Sequence, residues 1–438
     1  MGTPERKQPE MNNENLLPKA LNAVRNSTAL KLIIIGAIIA VLQIPTLMIY
    51  MLNRERANTG REASEEVFAQ WGREQTLAGP VLRIPYSAES AGQRYLVVMP
   101  DKLAVKGEID PESRYRGIYQ AALYTAKLSF SGSFNLRRDI RGEASGLQLD
   151  KAELLLGVTD TKGITGLEVT VNEREAEVFP GAKLDGVMES GLAIPCPAAD
   201  RSAPVSFDLK LELNGSRGIY FLPAGRETTV ALSAPWPSPG FTGKFLPKRE
   251  ITEDGFTAEY SVGELNRSFP QSWNGGSFNP AEERFGVNFY IPVDIYQQTS
   301  RSIRYSALVI IFTMLAFFFA ERLTRCRVHP VQYLMAGLAV VLFYVLLLSL
   351  GEHIPFAMAY GAAALVVSAA LGYYSRLIFR RSKPAIVEFI AMLAAYGAVF
   401  VMLQLETYAL LTGSAALFIL LLVLMTLTGN LNRREAEK

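Results

Sequence analysis

The residue types that most often carry out chemistry are few in this chain and widely separated. Its 438 residues include only two histidines and two cysteines, namely His329, His353, Cys196 and Cys326. A Ser-His-Asp or Cys-His arrangement needs its members within hydrogen-bond reach of one another. His329 and His353 flank one long apolar run, so they are expected at opposite ends of a membrane-crossing helix. The sequence therefore predicts no catalytic residues and a protein that is not an enzyme.

Patterns for metal and cofactor sites are also missing. The chain lacks the CxxC and HExxH spacings of zinc sites, and Glu352-His353 supplies at most two of the three or four ligands that zinc uses. The phosphate-binding pattern GxxxxGK[ST] and the nucleophile elbow G-x-S-x-G do not occur. We therefore expect no metal and no cofactor.

Acidic residues at the edges of apolar runs are the remaining candidates for a site. Glu321 precedes Arg325 by four residues, a spacing that predicts an ion pair on one helix face. Glu352 and His353 directly follow another apolar run. These groups could form a sensor or an ion gate, or they could anchor helix ends at the membrane interface. The sequence favours anchoring and leaves the choice open.

Six apolar runs are arranged around one polar insert. A helix of about 20 apolar residues matches the hydrocarbon core of a bilayer. The runs are Ala29–Leu52, Tyr305–Ala320, His329–Leu350, Phe356–Tyr374, Ile386–Leu403 and Tyr408–Thr428. They predict a multi-span α-helical membrane protein with six transmembrane helices. The second run is short unless its helix continues through Glu321 to Leu323.

The distribution of basic residues predicts the orientation. The N-terminal tail, the connectors after the second and fourth runs, and the C-terminal tail all contain Arg or Lys, whereas the alternate connectors contain neither. The positive-inside rule therefore places both termini in the cytoplasm. The predicted organisation is a cytoplasmic tail (1–28), a transmembrane signal anchor (29–52), an extracytoplasmic domain (53–304), a five-helix transmembrane bundle (305–428) and a second cytoplasmic tail (429–438).

The polar insert has the pattern of an all-β domain. Apolar and polar residues alternate in Ala126–Ser131, Gly166–Val171, Val205–Leu213 and Gly286–Ile291. Such alternation buries one face of a sheet, as antiparallel strands do. Ahead of the strands, a capping box at Thr59–Glu62 predicts a short amphipathic helix that continues to Gln75. We expect a large, sandwich-like β domain.

Two further patterns within the insert leave alternatives open. Arg116–Tyr119 recurs as Arg217–Tyr220, which favours two related β layers or lobes formed by duplication over coincidence. The segment Pro235–Phe241 cannot be a central strand, because its prolines lack ladder donors. It could be a surface recognition loop, although a packed connection is the favoured interpretation.

The bundle and the overall charge limit the partners. The centres of the apolar runs lack Asp, Glu, Lys, Arg and His, which disfavours an ion-coupled transporter without excluding it. Small residues at Ala364, Ser368 and Gly372 permit close helix packing, within the bundle or in a homo-oligomer. With 44 basic and 42 acidic residues, nothing indicates nucleic-acid binding. Cys196 and Cys326 are expected on opposite sides of the membrane, so they cannot form a disulfide.

Several long segments resemble one family, the inner-membrane CreD proteins of Gram-negative bacteria. The matching segments are Leu77–Pro85, Arg116–Tyr119, Gly243–Ile251, Phe285–Val287, Pro292–Gln297, His329–Leu334 and Phe343–His353. The resemblance covers about residues 30 to 375. It implies a cell inner-membrane location, a periplasmic insert, and a role in cell envelope integrity and in the response to envelope stress or β-lactams. It supplies no catalytic residues.

The resulting functional prediction is an inner-membrane protein that acts non-enzymatically through its periplasmic β domain. Its partners would be the lipid bilayer and periplasmic or other envelope proteins. The alternative is a transporter or channel formed by the C-terminal helix bundle. A third hypothesis, a membrane enzyme acting on lipid or cell-wall material, is disfavoured by the scarcity of His and acid clusters.

Overall fold

The computed structural model describes residues 28–88, 92–140, 146–184, 187–197, 204–274, 280–289 and 295–405, with a few single positions between 411 and 425. Contacts divide the chain into two compact units. The helical unit comprises Met1–Asn58 and Val293–Lys438, and the β unit comprises Thr59–Pro292.

Long apolar helices dominate the helical unit. The described α-helices of the chain are α1 (Thr28–Trp71), α2 (Leu136–Asp139), α3 (Ile295–Arg304), α4 (Ser306–Thr324), α5 (Pro330–Gly351), α6 (Phe356–Phe379) and α7 (Ser382–Gln404). Five of them, α1 and α4 to α7, are long and apolar enough to cross a membrane. The sixth predicted span, Tyr408–Thr428, falls mostly outside the described residues and stays a prediction, as do both predicted tails.

The first helix is much longer than the sequence predicts. The predicted break after Leu52 and the predicted helix start at Thr59 are both wrong, because α1 runs without interruption to Trp71. The intervening Arg, Glu and Ala residues are strong helix formers and contain no breaker. Gly60 lies within α1 against the Tyr119 ring, where a Cβ would come within 2.6 Å of it. Gly72, at φ 151°, follows the last helical residue.

Two other helices extend beyond their predicted ends. α4 continues through Glu321 to Thr324, which gives the short second run its full span. α7 begins at Ser382, four residues before the predicted start at Ile386. The extension places Glu388 about two turns inside the helix instead of at its edge.

The β unit contains seventeen strands within the described residues. They are β1 (Gln75–Ala88), β2 (Gly92–Val98), β3 (Lys102–Arg116), β4 (Tyr119–Phe134), β5 (Glu153–Val158), β6 (Ile164–Val171), β7 (Arg174–Glu175), β8 (Phe179–Pro180), β9 (Gly191–Pro195), β10 (Val205–Ser216), β11 (Gly218–Phe221), β12 (Glu227–Ala234), β13 (Pro239–Gly243), β14 (Lys248–Ile251), β15 (Phe256–Gly263), β16 (Ser272–Asn274) and β17 (Phe285–Phe289). Three of the four segments of alternating pattern form strands throughout and the fourth does so up to Phe289, beyond which two residues lie outside the described ones, so the prediction is confirmed for the described residues.

The strands form two sheets around one hydrophobic core. The nine-stranded sheet has the order β13-β17-β11-β1-β5-β9-β8, with β2 pairing to β1 and β16 to β2, and the eight-stranded sheet has the order β14-β15-β12-β3-β4-β10-β6-β7. Buried residues of both sheets, such as Leu154 and Phe130, belong to one cluster. The strands formed by the alternating segments, β4, β6, β10 and β17, pair antiparallel with their neighbours, as expected, whereas β1 with β11 and β3 with β12 pair in parallel. Strands distant in sequence have no hairpin to fix their direction.

The two copies of the Arg-Gly-Ile-Tyr pattern occupy different settings. Arg116–Tyr119 forms the turn between β3 and β4, both in the eight-stranded sheet. Arg217–Tyr220 joins β10 of that sheet to β11 of the other. Each sheet takes strands from the whole length of the unit, so the hypothesis of two duplicated layers or lobes is wrong.

The proline-rich segment is a packed connection. Trp236 is half-buried against the core and its ring meets the Phe289 ring edge-on, with 6.0 Å between centroids. The following strand β13 lies at the edge of its sheet, where proline is tolerated. The prediction that this segment is not a central strand is confirmed.

Candidate functional site

Polar contacts at one end of the helical unit join α1 to the bundle. The Lys31 ammonium forms an ion pair with Glu321 of α4 and donates a hydrogen bond to the Val328 carbonyl at 3.2 Å. The Tyr333 hydroxyl donates to the other Glu321 oxygen at 2.8 Å. We call Lys31, Glu321 and Tyr333 the lysine clamp. An ionised side chain in an apolar helical bundle is costly unless it is paired. The lysine clamp therefore holds α1 against α4 and α5.

The predicted Glu321–Arg325 pair is wrong. α4 ends at Thr324, and Arg325 adopts a left-handed conformation with φ 56°. A residue outside the helix does not continue the i, i+4 face on which the prediction relied. The carboxylate of Glu321 contacts Lys31 and Tyr333 instead.

A second polar cluster joins α1 to the bundle near Glu352. The Asn53 amide donates to the Tyr296 carbonyl at 2.9 Å and to the Ser300 hydroxyl at 2.7 Å. The Tyr296 hydroxyl donates to Glu352 at 3.3 Å, and Arg56 lies 3.9 Å from the same carboxylate. Glu352 therefore pairs helix ends, while the side chain of His353 is exposed. These contacts support the anchoring interpretation over the sensor interpretation.

In the β unit, one arginine binds three carboxylates from separate segments. Arg226 donates to Asp101 at 2.8 Å, to Asp139 and to Glu264. The Asp139 side chain is only 1% exposed. Burial raises the pKa of Asp139, and the neighbouring Arg226 opposes that rise. We call this set the Arg226 network; it ties β3, α2 and the start of β12 together.

The end of α1 belongs to the β unit and contacts both copies of the repeated pattern there. Arg116 forms an ion pair with Glu66, and Arg217 forms one with Glu65. The Arg217 guanidinium also lies 4.8 Å from the centroid of the Phe68 ring. The repeated pattern therefore places two arginines against neighbouring glutamates of one helix. This contact gives the pattern a structural role that needs no duplication.

Open clefts in the β unit have charged walls. The acidic cleft, of about 760 Å³, crosses neighbouring strands of the eight-stranded sheet and is lined by Glu108, Asp110, Glu250 and Asp254 with Lys127. A smaller cleft, of about 290 Å³, is lined by Arg73, Arg217 and Arg284 with Glu65 and Glu74. Such surfaces could contact charged partners, and they contain no nucleophile–base pair of the triad type.

The described part of the chain holds no group of three or more His, Cys, Asp or Glu residues that could bind a metal ion. Cys196 is buried in the β unit, and Cys326 lies in the helical unit after α4; both are free thiols. Burial raises the pKa of Cys196 to about 11, which keeps it as an unreactive thiol at neutral pH.

Comparison with known proteins agrees with this architecture. The family model described as "Inner membrane protein CreD" matches residues 27–433. The chain belongs to the CreD family. A relative from Escherichia coli (strain K12), also described as Inner membrane protein CreD, is 30% identical over 413 residues, which cover 91% of each chain. The CreD resemblance seen in the sequence is thus confirmed, and with five apolar helices it supports a multi-pass inner-membrane location.

One similar solved structure was compared with the chain. Yeast LTA4 hydrolase in complex with Bestatin matches half of this chain and 35% of its own length, at 9% identity and a TM-score of 0.20. A similarity of that size carries no argument about fold or activity.

Sequence reasoning missed one buried acid in the bundle. Glu388 of α7 is 3% exposed, although it lies in a run whose centre lacks ionisable residues. Its position near the predicted start of the run hid it, because the helix begins four residues earlier. The sequence does hold a signal for it. Glu388 lies within the apolar run, and no basic residue follows it one helical turn later.

Proposed function

We propose that this CreD-family protein maintains cell envelope integrity and takes part in the response to envelope stress or β-lactams. It acts non-enzymatically, through contacts of its periplasmic β unit with envelope components. The bundle serves as its membrane platform. In this proposal the protein has six spans, both termini are cytoplasmic, and the two sheets of the β unit pack as a sandwich.

The observation that carries the proposal is the acidic cleft of the β unit. Four carboxylates from two strands and a loop line an open space of about 760 Å³ and face a single lysine. An open, charged surface of this kind attracts a basic partner and excludes acidic ones. Family membership supports the envelope setting.

Charge reversal in the cleft tests the proposal. We expect the double variant Glu250→Lys and Asp254→Lys to fail to complement a deletion strain under β-lactam or detergent challenge. The matched control is Glu168→Lys, because Glu168 forms a surface ion pair with Lys210 in which both side chains are 75% exposed. Full complementation by the cleft variant at equal membrane abundance would refute the role of this surface.

Crosslinking in living cells identifies the partner. A photo-crosslinking residue at position 254 should capture a defined envelope protein that the same residue at position 168 does not capture. Equal products from both positions would indicate contact by chance.

A transporter or channel formed by the bundle is the second candidate. The buried Glu388 supports it, because intramembrane ionisable residues commonly mark ion or proton pathways. Accumulation of a small solute in vesicles containing the protein, lost in the Glu388→Gln variant, would favour transport over the platform role.

A further inference from the structure

We infer that Glu388 is a proton-binding residue at the contact of α6 with α7, and that Ser368 and Ser375 on the facing stretch of α6 are the hydroxyls that its protonated form would turn to bond. The site lies in the helical unit, so it is independent of the acidic cleft and goes beyond the proposed function.

The packing of α6 on α7 brings the three residues to one interface. A Cβ added at Gly372 would lie 3.1 Å from the Ala385 carbonyl and 3.1 Å from the Phe389 Cβ, so the two helices approach closely there. Ser368 and Ser375 flank Gly372 by four and three residues on the same face of α6. Because the helices run in opposite directions along this contact, Glu388 falls at a height between the two serines.

These polar groups are enclosed and are not hydrogen-bonded to one another in the described structure. Ser368 and Ser375 are 0% exposed and Glu388 is 3% exposed. Glu388 Oε1 and the hydroxyl oxygens of Ser368 and Ser375 are buried without a hydrogen bond to any described residue. Native interiors rarely leave buried polar groups unsatisfied, so three such groups along one helix contact call for a ligand that can bond them.

The charged and titratable groups on the surrounding helices do not neutralise Glu388. Glu321 of α4 is occupied by Lys31 and Tyr333. Lys383 of α7, Arg376 of α6 and Arg322 of α4 are exposed, and none forms an ion pair with Glu388. The remaining such groups on these helices are Tyr296, Arg301 and Arg304 of α3, Tyr360, Tyr373 and Tyr374 of α6, and Tyr396 of α7.

A proton is the ligand that this chemistry fits. An unpaired carboxylate in an apolar interior is costly, and protonation removes the charge. The neutral acid then donates one hydrogen bond and accepts others, which matches serine hydroxyls that both donate and accept. A metal cation would need a larger set of oxygen ligands than one carboxyl and two hydroxyls.

Carbodiimide modification of the full-length protein in lipid nanodiscs tests the inference. Dicyclohexylcarbodiimide reacts with a protonated carboxyl in apolar surroundings, and mass spectrometry locates the adduct. We expect Glu388 to be modified, and its labelling to fall about tenfold per pH unit once the pH exceeds its titration midpoint. The clamp residue Glu321 serves as an internal control and should react far less, because it is ion-paired.

Three outcomes would overturn the inference. The first is no Glu388 adduct at any pH at which the protein stays folded. The second is protection by sodium ions at constant pH, which would assign a metal cation to the site. The third is labelling that does not change with pH.

Thermal unfolding provides a readout that does not depend on the reagent. We expect wild type to lose stability relative to Glu388→Gln as the pH rises, because Gln mimics the neutral acid and cannot ionise. Glu388→Asp should restore the pH dependence, and the control Glu352→Gln should keep the wild-type profile. Parallel profiles for wild type and Glu388→Gln would also overturn the inference.

Discussion

Replacing Arg226 by Met should destabilise the β unit, mainly through Asp139. The substitution removes the partner of a side chain that is 1% exposed, and breaking a buried ion pair in this way costs about 3–5 kcal/mol. We expect a cost at the lower end of this range, because Asp139 as a whole residue is only half-buried. Asp101 and Glu264, at 23% and 38% exposed, add about 0–1 kcal/mol each. For a domain of this size, about 3 kcal/mol lowers Tm by about 6–12 °C.

The stability lost in the Arg226→Met variant should increase as the pH rises. Burial raises the pKa of Asp139 and Arg226 opposes the rise, so the variant shifts this pKa further upward. A raised pKa in the folded state means that the folded protein binds the proton more tightly than the unfolded chain does. Its stability therefore falls as the pH rises above the ordinary aspartate pKa of about 4. The difference between variant and wild type should be large at about pH 7 and shrink towards about pH 4.

Tryptophan fluorescence measures this effect in the intact protein. All three tryptophans, Trp71, Trp236 and Trp273, belong to the β unit, so their signal reports its unfolding. Adding Asp139→Asn to the variant should recover more than half of the loss, because it removes the stranded charge. Arg138→Met is the matched control: Arg138 is 55% exposed and lies 3.6 Å from Asp101, so its loss should be small. An equal Tm decrease at both pH values, or no recovery in the double variant, would refute the reasoning.

Three further predictions concern the membrane anchor, the thiols and the topology. Lys31→Met should destabilise the helical unit by about 1–3 kcal/mol by leaving Glu321 without its cation, and Glu321→Gln in the same chain should restore stability in detergent unfolding. Cys196 should resist alkylation at about pH 8 until the protein is unfolded, because burial raises its pKa to about 11; rapid labelling of the folded protein would contradict its burial. Reporter fusions active only in the periplasm should give signal after residues 150, 353 and 406 and none after residues 327, 381 and 438; activity at 381 would exclude the proposed topology.

Patterns with a single local cause were predictable from the sequence. Apolar runs gave the membrane helices, because length and hydropathy alone decide whether a helix can span a bilayer. Alternation in Val205–Leu213 gave a strand with alternating burial, since the period of two fixes the face of each residue. The predicted helix start at Thr59 is wrong, because a capping box is a local signal and the helix-forming residues before it carry α1 straight through.

Partners that are distant in sequence could not be predicted. Arg325 was the expected partner of Glu321 at a helical spacing, but Lys31, 290 residues away, takes that position. Asp139 gains its partner Arg226 across 87 residues through the arrangement of two sheets. No spacing rule covers such pairs, since they depend on which strands and helices the fold brings together.

Glu321, which the sequence analysis considered, and Glu388, which it missed, show how a partner separates anchoring from function. Both lie within or at the edge of apolar helices, where an ionised group is costly unless it is paired. Glu321 has an ammonium and a phenol hydroxyl, so its charge is satisfied and its effect is to hold α1 in place. Glu388 has neither among the described residues, so its neutral form is the one that the surrounding helices accommodate. A platform that only anchors the β unit needs the first acid but has no use for the second, which makes Glu388 the residue that best distinguishes a passive anchor from a working membrane domain.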